Sequence, residues 1–470
     1  MWSFDKFREN TALQDEYGNC ITYDALDTAC KDFRAVNSRR CLVAILCKNM
    51  IGSIIGYIAA VNNGIVPMLL SADLDADLLA ELLELYKPSY IWMPDEKKAE
   101  YDRGKEVFSR WDYSLIMTDY DKEYPLHEEL CLLLTTSGST GSPKFVRQSY
   151  GNVRSNALAI VSYLNITADE RPITTLPMNY TYGLSIINSH LFVGATILVT
   201  DKGLMQKEFW GFFKSAGATS FGGVPYTYEM LDRLRFQRMD LPSLRYMTQA
   251  GGKLSEDLQS RFAEVAEAQG KRFIVMYGQC EATARMGYLP PEYAIRKKGS
   301  MGVAIPGGKF RISDPDGQII TKPHTPGELI YEGDNVTMGY AQKGSDLILG
   351  DERKGILHTG DIAEFDEDGF YYIIGRMKRF LKIFGNRVNL DEIERLIKHR
   401  FPSEEVACAG VDDHMYIFIT NPSIADELKT FVALKTGLNQ SAFRTKVLDS
   451  IPKNDSGKIL YRELDKYYDV

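Results

Sequence analysis

Apolar residues fall into two patterns along the chain. Short continuous runs at residues 41–47, 90–93, 129–134, 195–200 and 272–276 have the length of single strands buried on both faces. Between them lie stretches with helical periodicity, such as 74–85 and 254–268. Ser255 ahead of Glu256 and Leu258 supplies an N-cap for the second. This strand–helix alternation predicts an α/β architecture for the first half. Residues 182–199 contain no charge and approach membrane-spanning length. Asn188, Ser189 and His190 at its centre, and the Gly194–Ala195 break, instead predict a buried helix followed by a buried strand.

After about Gly299 the texture changes. Gly and Pro clusters at 305–308 and 314–317 separate short alternating strands, which predicts a small, β-barrel-like unit. A strand over 370–376 and a second over 380–384 follow, then a helix with Asn389 as N-cap, Glu392 at its third position, and the stripe Leu390, Ile393, Leu396, Ile397. The basic turn 376–379 reads either as a hinge before a C-terminal part or as a surface hairpin; the pattern leaves both open. The expected architecture is a large N-terminal domain, residues 1–376, of two α/β layers plus the small β unit, followed by a small mobile α+β domain, residues 377–470.

The chain has 470 residues, 44% hydrophobic and 25% charged, with formal net charge −8. That balance disfavours a nucleic-acid or anionic-membrane surface, which needs a basic patch. Seven scattered cysteines without a C-x-x-C pair read as free thiols rather than disulfides or a zinc site. The N-terminus is charged early and shows no apolar signal core, so a cytoplasmic location is expected.

The chemistry begins at 131–144, Cys-Leu-Leu-Leu-Thr-Thr-Ser-Gly-Ser-Thr-Gly-Ser-Pro-Lys, an apolar strand running into a glycine- and hydroxyl-rich loop. Glycines let backbone N–H groups converge on phosphate oxygens, hydroxyls add donors, and Lys144 adds a point charge. The spacing is not Walker A, because Pro143 precedes the lysine and Phe145 follows it. A P-loop kinase is disfavoured; a flexible Ser/Gly surface loop is the plain alternative.

T-S-G-S-T-G-S-P-K resembles the signature of the AMP-forming adenylating superfamily, which includes acyl-CoA synthetases, peptide-synthetase adenylation domains and firefly-type luciferases. Further matches follow in that family's order, from Ile21-Thr22-Tyr23 to Lys458. The resemblance implies that Thr136, Ser137, Gly138, Ser139, Thr140, Gly141 and Lys144 hold ATP phosphates. Ala250-Gly251-Gly252-Lys253 resembles the segment lining the adenine pocket. Tyr277-Gly278-Gln279-Cys280-Glu281 resembles Y-G-x-T-E, whose tyrosine stacks on adenine and whose glutamate holds Mg²⁺; Cys280 departs from the usual threonine. Asp361 in Thr359-Gly360-Asp361 corresponds to the residue that takes the ribose hydroxyls, and Arg376 to an arginine reaching ribose or phosphate. Arg379 takes the hinge position. Lys458 closes a P-K-x-x-x-G-K motif whose lysine reaches the carboxylate and α-phosphate.

The resemblance implies an acid–thiol ligase that makes an acyl-adenylate and pyrophosphate from ATP, with Mg²⁺, and passes the acyl group to a thiol. Lys458, Glu281 and Thr136 are the expected catalytic residues. Tyr180, Thr181, Gly183, Gly222 and Gly223 are expected to line the pocket of a small carboxylic acid, and Thr181, where amino-acid-activating relatives carry aspartate, weakly disfavours an amino acid. Twelve residues follow Lys458, so the thiol is expected from coenzyme A or from phosphopantetheine on a separate carrier protein. A stand-alone enzyme loading a carrier, or a silent AMP/ATP-binding regulator, are the competing readings.

Overall fold

The computed structural model describes all residues except 37–38, 102, 121–122, 136–143, 378, 384–385, 437, 455–456 and 470. The chain divides into two compact units: Met1–Lys309 with Tyr331–Leu357, and Phe310–Ile330 with His358–Val470. Part of the β-rich segment thus groups with the C-terminal residues.

Two large sheets build the first unit. One has eight strands in the order Gly339–Ala341, Phe145–Ser149, Leu130–Thr135, Val66–Ser71, Leu42–Cys47, Tyr90–Pro94, Tyr113–Met117, Lys105–Arg110. Its four central strands run parallel. In Leu42–Cys47 every residue is buried, and alternate residues serve different cores. Val43, Ile45 and Cys47 face one cluster, and Leu42, Ala44 and Leu46 the other, as a two-residue strand period requires. The second sheet has nine strands, with the parallel series Arg272–Tyr277, Tyr246–Gln249, Ser220–Gly223, Pro172–Ile173, Ile197–Val199, Thr11–Asp15 inside antiparallel edges. Helices Tyr23–Val36, Ile51–Asn62 and Thr181–Leu191 join residues of both sheets in one core.

The uncharged stretch resolves as expected into the helix Thr181–Leu191 and the strand Ile197–Val199. Among the described residues no helix is long and apolar enough to cross a membrane. Helix Ala76–Tyr86 starts two residues later than the apolar period suggests, because the Asp75 carboxylate caps it by accepting from the Asp77 and Leu78 amides. Ser255 caps Glu256–Ala268 through the Leu258 amide.

The second unit holds most of a four-stranded sheet, ordered Lys309–Ser313, Gly327–Glu332, Ile356–Phe365, Tyr371–Arg376. The part expected to be barrel-like is therefore an open sheet; four short strands are too few to close around side chains. The second unit also holds the two-stranded pair Phe380–Ile383 and Asn386–Asn389 and a three-stranded sheet, Val406–Val411, His414–Ile419, Phe443–Val447. Helices Leu390–Arg400 and Ala425–Thr436 bury Leu390, Ile393, Ile397, Leu428 and Val432 against it.

Candidate active site

In the first unit, three adjacent parallel strands end side by side at Gly223, Gln249 and Tyr277. Each expected motif begins where one of them stops: Gly222 and Gly223, then Gly251 and Gly252, then Tyr277 through Glu281. Carboxyl ends of parallel strands are where open α/β sheets leave ligand crevices. Tyr180 caps the helix Thr181–Leu191 and sits against the second motif. Gly251 has φ +84°, and a Cβ there would stand 2.6 Å from the Tyr180 hydroxyl. Only glycine suits that position. Gly278 is equally constrained, since a Cβ would overlap the Ala284 carbonyl oxygen. Gly222 packs against Tyr182 and Gly223 against Thr227 and Tyr228, while Gly183 lies on the Pro177 carbonyl. Thr181 is buried, leaving Tyr180 as the residue of that pair nearest the motif.

Thr136, Ser137, Gly138, Ser139, Thr140 and Gly141 lie outside the described residues. What bounds them is described. The loop's leading strand ends at Thr135, whose carbonyl accepts a hydrogen bond from the buried Cys280 thiol at 3.8 Å. Cys280 therefore ties the second sheet's motif to the end of the first sheet's strand Leu130–Thr135. It also lies near Tyr180, whose hydroxyl is pushed above its ordinary pKa by burial first and Cys280 second.

On the loop's far side, Lys144 Nζ lies 3.9 Å over the Tyr340 ring. The Tyr340 hydroxyl donates to Glu281 Oε1 at 2.6 Å. Glu281 is fixed at its backbone as well. Its carbonyl accepts from the Thr337 amide and hydroxyl, each at 3.0 Å, and from Arg353 Nη1 at 3.0 Å. Arg353 also covers the Tyr340 ring at 4.6 Å. Burial, then the Glu281 charge, raises the Tyr340 hydroxyl, so it stays a proton donor. Gln279 donates to the Tyr277 hydroxyl at 3.3 Å.

Within the second unit, Asp361 and Arg376 face each other across the hairpin Ile356–Phe365/Tyr371–Arg376. Arg376 Nε lies 3.0 Å from Asp361 Oδ1; the carboxylate is buried and the guanidinium half exposed. Arg379 is held by Asp391 at 2.6 Å, Glu394 at 2.8 Å and the Tyr461 ring at 3.7 Å. The Lys458 amide donates to Asn454 Oδ1 and its carbonyl accepts from the Asn454 amide, both at 2.9 Å, and Lys453 pairs with Ile459 in an isolated β-bridge.

The profile of the AMP-binding enzyme family matches residues 2–341, which hold every first-unit motif above. The chain belongs to that family. Among relatives, it is 27% identical over 442 residues to a 2-succinylbenzoate–CoA ligase of Geobacillus sp. (strain WCH70), covering 90% of this chain and 87% of that one. It is 30% identical over 352 residues to an oxalate–CoA ligase of Arabidopsis thaliana, covering 72% and 67%. Among solved structures, O-succinylbenzoate coenzyme A synthetase of Bacillus subtilis in complex with AMP superposes with a TM-score of 0.79 at 23% identity, covering 98% and 96%. That likeness carries the fold.

In this AMP-binding enzyme, three residues around the motifs have no motif of their own: Tyr340, Arg353 and Arg285. Tyr340 and Arg353 matter through contacts with Glu281 that bring together segments far apart in sequence. Arg285 had one faint signal, a charge inside the apolar stretch that follows Glu281.

Proposed function

We propose that this AMP-binding enzyme is an acid–thiol ligase in which Glu281, Lys144 and Lys458 manage phosphate charge while Tyr180 positions the carboxylate. The observation that carries the reading is the Glu281 cradle. A carboxylate held at its side chain by Tyr340 and at its backbone by Thr337 and Arg353 shares the Tyr340 side chain with Lys144. Mg²⁺ takes one or two carboxylates plus substrate phosphates, and one oriented carboxylate fits that donor set. The fit is to a cation shared with ATP. When bound, the ion neutralises phosphate charge.

In adenylation, a substrate carboxylate oxygen attacks the α-phosphorus, the bond to the β-phosphate breaks, and pyrophosphate leaves. The protein's work is to position two anions and offset charge on the phosphoryl oxygens. Lys144, kept at the loop's end by Tyr340, supplies positive charge there. Asp361 serves the ribose hydroxyls and Arg376 the ribose or phosphates. In the second step a thiol sulfur attacks the acyl carbon, the acyl C–O bond breaks, and AMP leaves while the thiol proton goes to solvent. Coenzyme A is the acceptor this reading favours, since the curated relatives carry CoA-ligase names. A division of labour between residues 1–376 and 377–470 about Arg379, and a cytoplasmic location, belong to the same proposal.

ATP–pyrophosphate exchange over a panel of carboxylic acids tests it, followed by thioester formation with coenzyme A. Exchange with a definite acid is expected; no exchange with any acid would defeat the enzyme reading.

A further inference from the structure

Arg285 is a buried cation with only neutral partners among the described residues. It is 2% exposed. Its Nε donates to Ser185 Oγ at 3.2 Å, and its Nη1 to the Tyr163 hydroxyl at 3.1 Å and the Met276 sulfur at 3.0 Å. The guanidinium carbon lies 4.9 Å over the Tyr182 ring. Nη2 donates to no described residue. The other arginine buried to this degree differs: Arg147 has Glu352. A guanidinium cannot shed its proton. Buried without a counter-charge, it is costly to keep.

Its neighbours locate it. Tyr182 and Ser185 lie on the first turns of the helix that Tyr180 caps, and Met276 immediately precedes Tyr277. The Tyr182 hydroxyl pairs with Thr248, from the strand leading to Gly251, at 2.7 Å. Arg285 therefore touches both the helix that begins after Tyr180 and the strand that ends at Tyr277. Two of its present partners are easily given up. Sulfur is a weak acceptor, and the Tyr163 hydroxyl, which itself points at Met276 Sδ at 3.1 Å, can turn toward a stronger one.

We infer that Arg285 receives a second carboxylate, borne by the acid at the end remote from the activated one, so that the enzyme adenylates dicarboxylic acids. The inference rests on the ligase reading above. A planar fork with an uncommitted Nη2 suits a carboxylate, and the anion would supply the counter-charge the fold withholds. The same charge repels nothing in a monocarboxylate tail but leaves the guanidinium desolvated and unpaired over it, which is how a site built for a polar group rejects the analogue lacking it.

The test uses the full-length enzyme and matched pairs of short dicarboxylic acids and their mono-amides in pyrophosphate exchange. The diacid is expected to exceed its mono-amide in kcat/KM by roughly 100-fold. Arg285→Met should erase that ratio with the KM for ATP unchanged, and Arg285→Lys should keep part of it. Equal use of both members of each pair by the unaltered enzyme would overturn the assignment to Arg285 and leave the ligase standing, whatever the variants' folding. So would an undiminished preference in a folded Arg285→Met. Exchange with no acid would overturn both.

Discussion

Glu281 is held at both ends, and the two restraints separate experimentally. Glu281→Gln keeps the shape and removes the charge, so pyrophosphate exchange should fall by roughly 100-fold or more, the scale of losing a preorganised electrostatic group. Tyr340→Phe removes one hydrogen bond to a charged group, worth about 1.5 kcal/mol, and should lower exchange about tenfold. No loss in Tyr340→Phe would mean that the backbone contacts of Thr337 and Arg353 hold Glu281 without the hydroxyl. Cys280→Thr replaces a weak thiol donor to the Thr135 carbonyl with a stronger hydroxyl. Exchange should persist or improve; a collapse would show that the thiol itself is adapted. The motif residues were legible because their chemistry lies in consecutive positions. Tyr340 was not, because its partner lies about sixty residues away.

At the scale of elements, two connections deserve measurement. Helix Thr181–Leu191 carries His190, fully buried between the Ile186 carbonyl and the Tyr246 hydroxyl. Burial first, and Arg285 among the lesser causes, lowers its pKa to about 4. The folded state therefore binds fewer protons than the unfolded chain between that value and the ordinary 6.5. Stability is fully present above pH 6.5 and declines toward pH 4, by at most roughly 3 kcal/mol. Thermal unfolding across that window should show the fall, and His190→Gln should flatten it. The strand Phe145–Ser149 carries Arg147, fully buried, which donates to the Tyr340, Met338, Leu349 and Gly350 carbonyls and to Glu352. Arg147→Met should cost roughly 2–4 kcal/mol, read as a lower Tm, because several buried carbonyls lose their donor. Strand and helix positions were readable from apolar runs and caps to within a residue or two. The shift at Asp75 came from a capping carboxylate that periodicity alone does not register.

For the whole molecule, the decisive variant is Lys458→Ala. Adenylate formation should be abolished, while thiolysis of a supplied acyl-adenylate survives; equal loss in both half-reactions would contradict a lysine that serves only one. The α/β class was legible because buried parallel strands read as apolar runs. The open form of the four-stranded sheet was not, since alternation marks a strand's faces and says nothing about whether a sheet closes. The grouping of that sheet with the C-terminal segment was equally hidden, because it depends on contacts between segments interrupted by residues 331–357.

The clamp on Phe145–Ser149 has a consequence during synthesis. Its outer neighbour, Gly339–Ala341, arrives almost two hundred residues later in the chain, and Glu352 later still. Until then the emerging polypeptide presents a bare strand edge, an invitation to intermolecular pairing. A charge on an edge strand disfavours such addition, and Phe145–Ser149 carries Arg147. Arg147 then donates to the Tyr340 carbonyl, and Tyr340 to Glu281, so the Glu281 carboxylate gains this support only when most of the first unit has been made.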